Sequence, residues 1–198
     1  MTIYFTSDLH FFHNNVILYD NRPFANTDEM NAALVDNWNA TVKPEDTVYF
    51  LGDLSLNHNK GLSLLARLNG KIHYIAGNHC PFWKEKDAKK HTEWTLKNTG
   101  VVSISKGPEF LEHEGIRFKL SHFPYAYAEA EVEGKRQGEQ KHANSYNKKE
   151  HEHILLHGHC HTAWWIKGNM INVGCMHWDY KPVSIETIIA LAKEKEII

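Results

Sequence analysis

The stretch HILLHGHCHT, residues 153–162, starts as an apolar run and ends in alternating histidines. Ile154, Leu155 and Leu156 read as a strand, and Gly158 punctuates its end. His157, His159 and His161 then alternate with Gly158 and Cys160. Two readings fit this segment taken alone. One is a polar loop after a strand, with histidine filling space. The other is a metal site.

The same ending recurs along the chain. The runs TIYFTS (2–7), TVYFLG (47–52), KIHYIAG (71–77), IRFKLS (116–121) and WWIKGNMINVG (164–174) are rich in β-branched and aromatic residues and read as further strands. TIYFTS runs into Asp8 and His10, TVYFLG into Asp53, KIHYIAG into Asn78 and His79, and IRFKLS into His122. HILLHG runs into His159 and His161. In open α/β sheets, ligands bind beyond the carboxyl ends of strands, so strands lying side by side bring these residues together. Oxygen and nitrogen donors with no required thiolate suit Mn²⁺, Fe, Zn²⁺ or Ni²⁺. The donors are too many for one ion with open positions. Two ions sharing a carboxylate, roughly 3.5–4 Å apart, fit better.

Helical patterns alternate with the strands. TDEMNAALVDNWNATV (27–42) has Thr27 as the expected N-cap, with Asp28 and Glu29 in its first turn. GLSLLARLNG (61–70) is expected to end at a Gly70 C-cap. FWKEKDAKKHTEWTLKNTG (82–100) is amphipathic and charged, and VSIETIIALAKEKEII (183–198) closes the chain as strand then helix or as helix alone. Gly168-Asn169 marks a hairpin turn. The alternation predicts an α/β fold in one domain over residues 1–198, with no internal repeat and no linker. Residues 125–152 are polar and weakly periodic. They are expected to form a flap over the site or a passive surface insertion.

Bulk properties narrow the class. A chain of 198 residues with 42% apolar content can bury a substantial core. Fifteen histidines raise the expectation of a metal site. Cys80, Cys160 and Cys175 are an odd count without CxxC spacing, which argues against a disulfide framework and a structural zinc knuckle. A net charge of -2 does not indicate a nucleic-acid surface. No signal peptide or run of about 18 apolar residues is apparent, so a cytoplasmic protein without a membrane span is expected.

The ordered set Asp8-Leu9-His10, Gly52-Asp53, Gly77-Asn78-His79, His122 and Gly158-His159-Cys160-His161 resembles the calcineurin-like metallophosphoesterase superfamily. FTSDLHFFHNNVILYDNRPF (5–24) and NVGCMHWDYKPVS (172–184) also look like the short phage and bacterial members. The resemblance implies two mixed β-sheets in a sandwich flanked by helices. It implies that Asp8, His10, Asp53 and His161 hold one ion and that Asp53, Asn78, His122 and His159 hold the other, with Asp53 bridging. Gly52, Gly77 and Gly158 are expected to turn the backbone at the ligands. A hydroxide between the ions would attack phosphorus in line, and His79 would assist the leaving group. The implied cofactors are two divalent transition-metal ions per chain, manganese first, with Fe, Ni or Zn as alternatives. The implied substrate is a small phosphodiester or nucleotide.

Two departures stand out. Family members often carry Asp or Glu after the G-N-H histidine, where this chain has Cys80, and Leu56 and Asn57 replace the Asp-Arg pair of protein phosphatases. His13 and Arg22 are candidates for substrate binding, since Arg suits bidentate phosphate contact. The alternative for both is a structural loop tied by an Arg salt bridge. A nuclease of the same superfamily and a non-catalytic scaffold on this fold are the competing functions.

Overall fold

The computed structural model describes residues 1–83, 85–125 and 152–198. The segment expected to form a flap therefore lies, apart from its two end residues, outside the described residues. Among the described residues, ten strands form two sheets. The first holds β1 (Ile3–Thr6), β2 (Thr47–Phe50), β3 (Lys71–Ile75), β4 (Val101–Ser105) and β10 (Val183–Ser184), in the order β10-β1-β2-β3-β4. Its first four strands are parallel and β10 is antiparallel to β1. The second holds β5 (Glu109–His113), β6 (Ile116–Leu120), β7 (Ile154–His157), β8 (Ile166–Lys167) and β9 (Met170–Asn172), in the order β5-β6-β7-β9-β8. There β6, β7 and β9 are parallel, and β5 and β8 are antiparallel edges. Both sheets are thus mixed, as the expected fold class requires.

Side-chain alternation places the layers. Val48, Phe50, Ile72 and Tyr74 point from one face of the first sheet toward α2 (Thr27–Thr41) and α3 (His58–Leu65), joining Met30, Leu34, Trp38, Leu62 and Leu65 in one core. Phe5, Leu51 and Ile75 point the other way, and meet Phe118, Leu120, Ile154 and Leu156 of the second sheet. The last helix, α5 (Ile185–Glu194), adds Ile188 and Leu191 to that second core. The remaining α-helices among the described residues are α1 (Asn14–Tyr19) and α4 (Glu85–Asn98). No helix among the described residues is long and apolar enough to cross a membrane.

Local details differ from the expected ones. The N-cap of α2 is Asn26, not Thr27, and its side-chain oxygen accepts from the backbone N–H groups of Asp28 and Glu29 at 3.0 Å each. Both residue types cap well, and the nearer acceptor starts the helix one residue earlier. The α3 helix runs from His58, capped by Asn57, and ends at Leu65, so Gly70 is not its C-cap. Gly70 instead has φ +98 and turns the chain into β3. Strands β4 and β5 had no counterpart in the sequence reading. EFLEH sets one Phe-Leu pair between two glutamates at a sheet edge, and its Phe110 is 60% exposed, so the apolar signal there is weak. The chain ends as strand then helix, and Gly168-Asn169 does close the β8–β9 hairpin.

Phe5 joins the two sheets: its ring lies 5.8 Å from Tyr49 on β2 and 6.5 Å from Phe118 on β6. Phe5→Ala is expected to lower unfolding free energy by about 3–5 kcal/mol, measured by urea denaturation. A loss well below that range would show that the sheet joint can repack around the void.

Candidate metal centre

Strands β1, β2 and β3 of the first sheet and β6 and β7 of the second end at the same edge of the sandwich. Asp8, Asp53 and Asn78 follow the first three, and His122 and His159 the other two. The ligand loops are tied together by backbone bonds, Asp8 N–H to Gly52 O at 3.0 Å and His10 N–H to Asp53 O at 3.1 Å. Gly158 N–H donates to His122 O at 3.1 Å. The seven expected ligands are all brought into one cluster.

The way the chain turns there differs from expectation. Asp8, His10, Asp53, His159 and His161 themselves have φ between 47 and 70. Such left-handed backbone in non-glycine residues costs of order 1–3 kcal/mol each and gathers at functional sites. Of the three motif glycines only Gly52 has positive φ, at +96. At Gly77 the need is space, because a Cβ there would collide with the Asp53 carboxylate and come within 2.8 Å of the His122 ring. At Gly158 a Cβ would collide with Ser7 and the Asp8 carboxylate. The carboxylates are packed against glycine backbone that admits no side chain.

Two groups of donor atoms come within 4.8 Å of one another: Asp8, His10 and His161, and Asp8, Asp53 and His122. Asp53 Oδ2 lies 3.9 Å from His10 Nε2 and 3.5 Å from His122 Nε2, so it faces both groups. Its Oδ1 accepts from His79 N–H at 3.0 Å. Asp8 Oδ1 faces His10 and His161, each at 3.9 Å, while its Oδ2 accepts from the Ser7 hydroxyl at 2.6 Å and His159 N–H at 3.1 Å. Asn78 Oδ1 lies 2.9 Å from His122 Nε2 and 3.0 Å from His159 Nδ1.

Outer groups set the imidazole tautomers. His122 Nδ1 lies 2.7 Å from the Leu51 carbonyl, which can only accept, so Nδ1 carries the proton. When His122 is neutral, its Nε2 lone pair then faces Asn78 Oδ1 at 2.9 Å and Asp53 Oδ2 at 3.5 Å, acceptor against acceptor. His161 Nδ1 likewise donates to Asp20, 2.9 Å from each carboxylate oxygen, which turns its Nε2 toward His10 Nε2 at 3.1 Å. A cation seated between His122 Nε2 and Asp53 Oδ2 resolves that conflict, and the inward-turned Nε2 of His161 adds a further donor, so the donor set fits divalent metal ions.

Electrostatics shows the same strain. Burial, then the neighbouring Asp8 charge, pushes the Asp53 carboxyl up to about 6. Burial also works against the Asp8 carboxylate, but His122, His161 and the Ser7 hydroxyl outweigh it and hold its pKa below the usual range. Burial, reinforced by His161, drives His10 well below the ordinary imidazole value. Burial opposes the His161 cation too, yet the Asp20 hydrogen bond and the Asp8 charge raise it overall.

Asp20 adjoins the donor cluster and was not among the expected site residues. It lies twelve positions beyond the first motif residue, in a loop where nothing in its spacing marks it. Arg22 clamps it at 3.0 and 3.2 Å. The remaining Arg22 N–H groups go to Leu9 O and Asp8 O at 2.9 Å each and to the Met30 sulfur at 3.7 Å. All five guanidinium donors are thus engaged in the interior, and a phosphate could bind Arg22 only by breaking one of these bonds. His13 does lie at the rim, its ring 5.5 Å from His10 and 6.4 Å from Tyr19. The His79 ring lies 5.9 Å from His10.

Cys80 does not replace the missing acidic residue as a support for the His79 ring. Its sulfur accepts from Gly77 N–H at 3.1 Å and Asp53 N–H at 3.4 Å, and meets the Tyr74 hydroxyl at 3.2 Å. Burial, then the Asp53 charge, pushes its thiol up to about 12, so it stays protonated. Cys160 precedes a short 3-10 turn, since β7 has already ended at His157. His157 is fully buried against Trp164 and stands outside both donor groups.

Residues 1–195 match the model of the calcineurin-like phosphoesterase superfamily domain. The chain is 34% identical to an uncharacterised protein of Methanocaldococcus jannaschii, over 99% of this chain and 94% of that one. It is 29% identical to the Gene 66 protein of Mycobacterium phage L5, over 88% and 86% of the two chains. A solved structure, a protein of unknown function from Aquifex aeolicus, matches with a TM-score of 0.67 at 29% identity, covering 96% of this chain and 98% of that one. A donor cluster at the shared edge of two mixed sheets, with the family pattern running through nearly every residue, places the chain in the calcineurin-like phosphoesterase superfamily.

Proposed function

We propose that this protein hydrolyses small phosphoesters, diesters or nucleotides in preference to simple monoesters, using two divalent transition-metal ions with manganese the first choice. The observation that carries the reading is the apposition of His122 Nε2 and Asp53 Oδ2 at 3.5 Å, with the proton of His122 committed to Leu51 on the far side. Asp8, His10, His161 and Asp53 would hold one ion, and Asp53, Asn78, His122 and His159 the other. The two-way exposure of Asp53 Oδ2 to His10 and His122 supports its bridging place.

Bound there, the ions would supply an acidified water as nucleophile and neutralise charge on the phosphoryl oxygens. The chain's own residues do the rest. Leu51 and Asp20 fix the His122 and His161 rings, so their lone pairs stay aimed inward when substrate arrives. Arg22 acts through Asp20 as a positioning residue, with no contact to substrate. His79 and His13 face the rim, where they would meet the phosphate, and His79 would pass a proton to the departing oxygen.

Elemental analysis of metal-loaded protein should find two ions per chain, and Asp53→Asn should weaken both in calorimetric titration. A variant that keeps both at wild-type affinity would remove Asp53 from the bridge. Wild-type protein that binds no metal and turns over no ester would return the chain to the scaffold reading.

His79→Ala should leave metal content unchanged and slow esters with alkoxide leaving groups by about 10²–10⁴-fold. Nitrophenyl esters, whose leaving group needs little protonation, should lose much less. Equal losses on both substrate types would exclude the proton-donor role.

Asp20→Asn keeps the shape of the side chain and removes its charge. One of the two metal affinities should fall by about 10–100-fold, the range for outer supports of ligating histidines, while the other holds. Titration that shows both sites unchanged would leave Asp20 as a partner of Arg22 alone.

A further inference from the structure

Beside the metal centre lies a trough that none of the assigned ligands uses. One shallow, open depression of about 450 Å³ is lined by Phe12, Leu56, Asn57, His58, Asn59 and His91. A second of about 340 Å³ shares Asn59 and His91 with it and continues along α4 to Lys90 and Trp94. Both fall within the size range of small-ligand sites.

Its position follows from the ligand loops. Beyond His10 and Asp53, residues 10–12 and 53–57 run side by side. Phe11 N–H donates to Leu54 O at 2.8 Å, Phe11 pairs with Ser55 as an isolated parallel bridge, and the Ser55 hydroxyl donates to Phe11 O at 2.7 Å. Phe12 is two residues past His10 and Asn57 four past Asp53. At about 3.3–3.6 Å per residue, the mouth of the trough lies within roughly 14 Å of the ligands.

Its chemistry is one-sided. The lining offers the aromatic surfaces of Phe12 and Trp94, and Trp94 is 42% exposed. His58 and His91 face each other edge to face at 6.1 Å. Lys60 stands 5.6 Å from the Phe12 ring centroid, and Lys90 flanks Trp94. Asn57 and Asn59 bring amide groups, and no carboxylate occurs among the described lining residues. Flat aromatic faces, amides for edge contacts and nearby cations suit a heteroaromatic base carried on an anion.

We propose that this trough is the nucleoside subsite of the centre, taking the base of a nucleotide ester whose phosphate lies at the metal ligands. The proposal rests on the phosphoesterase reading for its phosphate end only. It names a substrate class, nucleotide esters, rather than small phosphoesters in general. His91 and Trp94 are its specificity-determining residues, and both stand on α4, away from the ligand loops.

The test is calorimetric titration of Mn²⁺-loaded protein with adenosine 5′-monophosphate and with methyl phosphate, alongside turnover of methyl p-nitrophenyl phosphate. The nucleotide should bind about tenfold tighter or better, in line with stacking of one base. His91→Ala and Trp94→Ala should each erode that advantage several-fold, and together bring it close to unity. Methyl phosphate binding and turnover of the methyl ester should not change. A nucleotide that binds no tighter than methyl phosphate to the wild type overturns the subsite, including the case where neither binds. So does an advantage that survives the double substitution. If the methyl ester is never hydrolysed but the nucleotide advantage depends on His91 and Trp94, the subsite stands and the hydrolase reading falls.

Discussion

Asp8 and Asp53 are buried carboxylates at the junction of two sheets, each surrounded by groups that also prefer to accept protons or cations. Asp53 is pushed up to about 6 by that burial and by its neighbour, and the His122 lone pair is aimed at it. Such an arrangement is unfavourable unless positive charge is supplied. The left-handed backbone at Asp8, His10, Asp53, His159 and His161 adds conformational cost to the electrostatic one. The surrounding fold must over-determine these residues to hold them so. It does this with backbone bonds between loops of neighbouring strands and with glycines that leave the carboxylates no room to swing away.

A second layer of polar groups keeps the first in register. Arg22 spends its donors on Asp20, on the Met30 sulfur and on the carbonyls of Leu9 and Asp8, so one buried side chain ties the backbone of the first ligand loop to the carboxylate that orients His161. On the other side, Cys80 and Tyr74 gather the Asp53 and Gly77 amides. From the C-terminal segment, Cys175 N–H donates to Ser7 O at 3.1 Å, and His177 Nε2 lies 2.8 Å from His161 O. Segments distant in sequence thus act on the same few donor atoms. That is the physical content of a resemblance running from the first strand to the last turn.

The two sheets contribute unequally. Carboxylate and amide donors Asp8, Asp53 and Asn78 come from the first sheet, and His122, His159 and His161 from the second. Only His10 crosses this division. The centre therefore exists only when the sheets are packed, and Phe5, between β2 and β6, stands at the joint. Stability of the sandwich and assembly of the donor set depend on the same contacts.

Much of this was legible in the chain itself. Strand endings in Asp, Asn and His could be read one by one, because a strand's apolar run and its terminal ligand are adjacent in sequence and β-periodicity is local. The mixed α/β class followed for the same reason. The cap at Asn26 and the edge strand at Glu109–His113 could not be read so, and for Arg22 the salt-bridged loop was one of two readings between which only packing could choose. Asn26 competes with an equally suitable neighbour, and the edge strand lacks an apolar face. Arg22 shows no local sign of turning inward. Asp20 is the clearest case: its place at the site depends on His161, 141 residues away, and no local pattern encodes a contact that forms only when the sheets meet. The residue types and their order determined which atoms were available to bind a cation. The tertiary structure decided which proton sits on which imidazole, because that depends on the acceptor that packing places behind each ring.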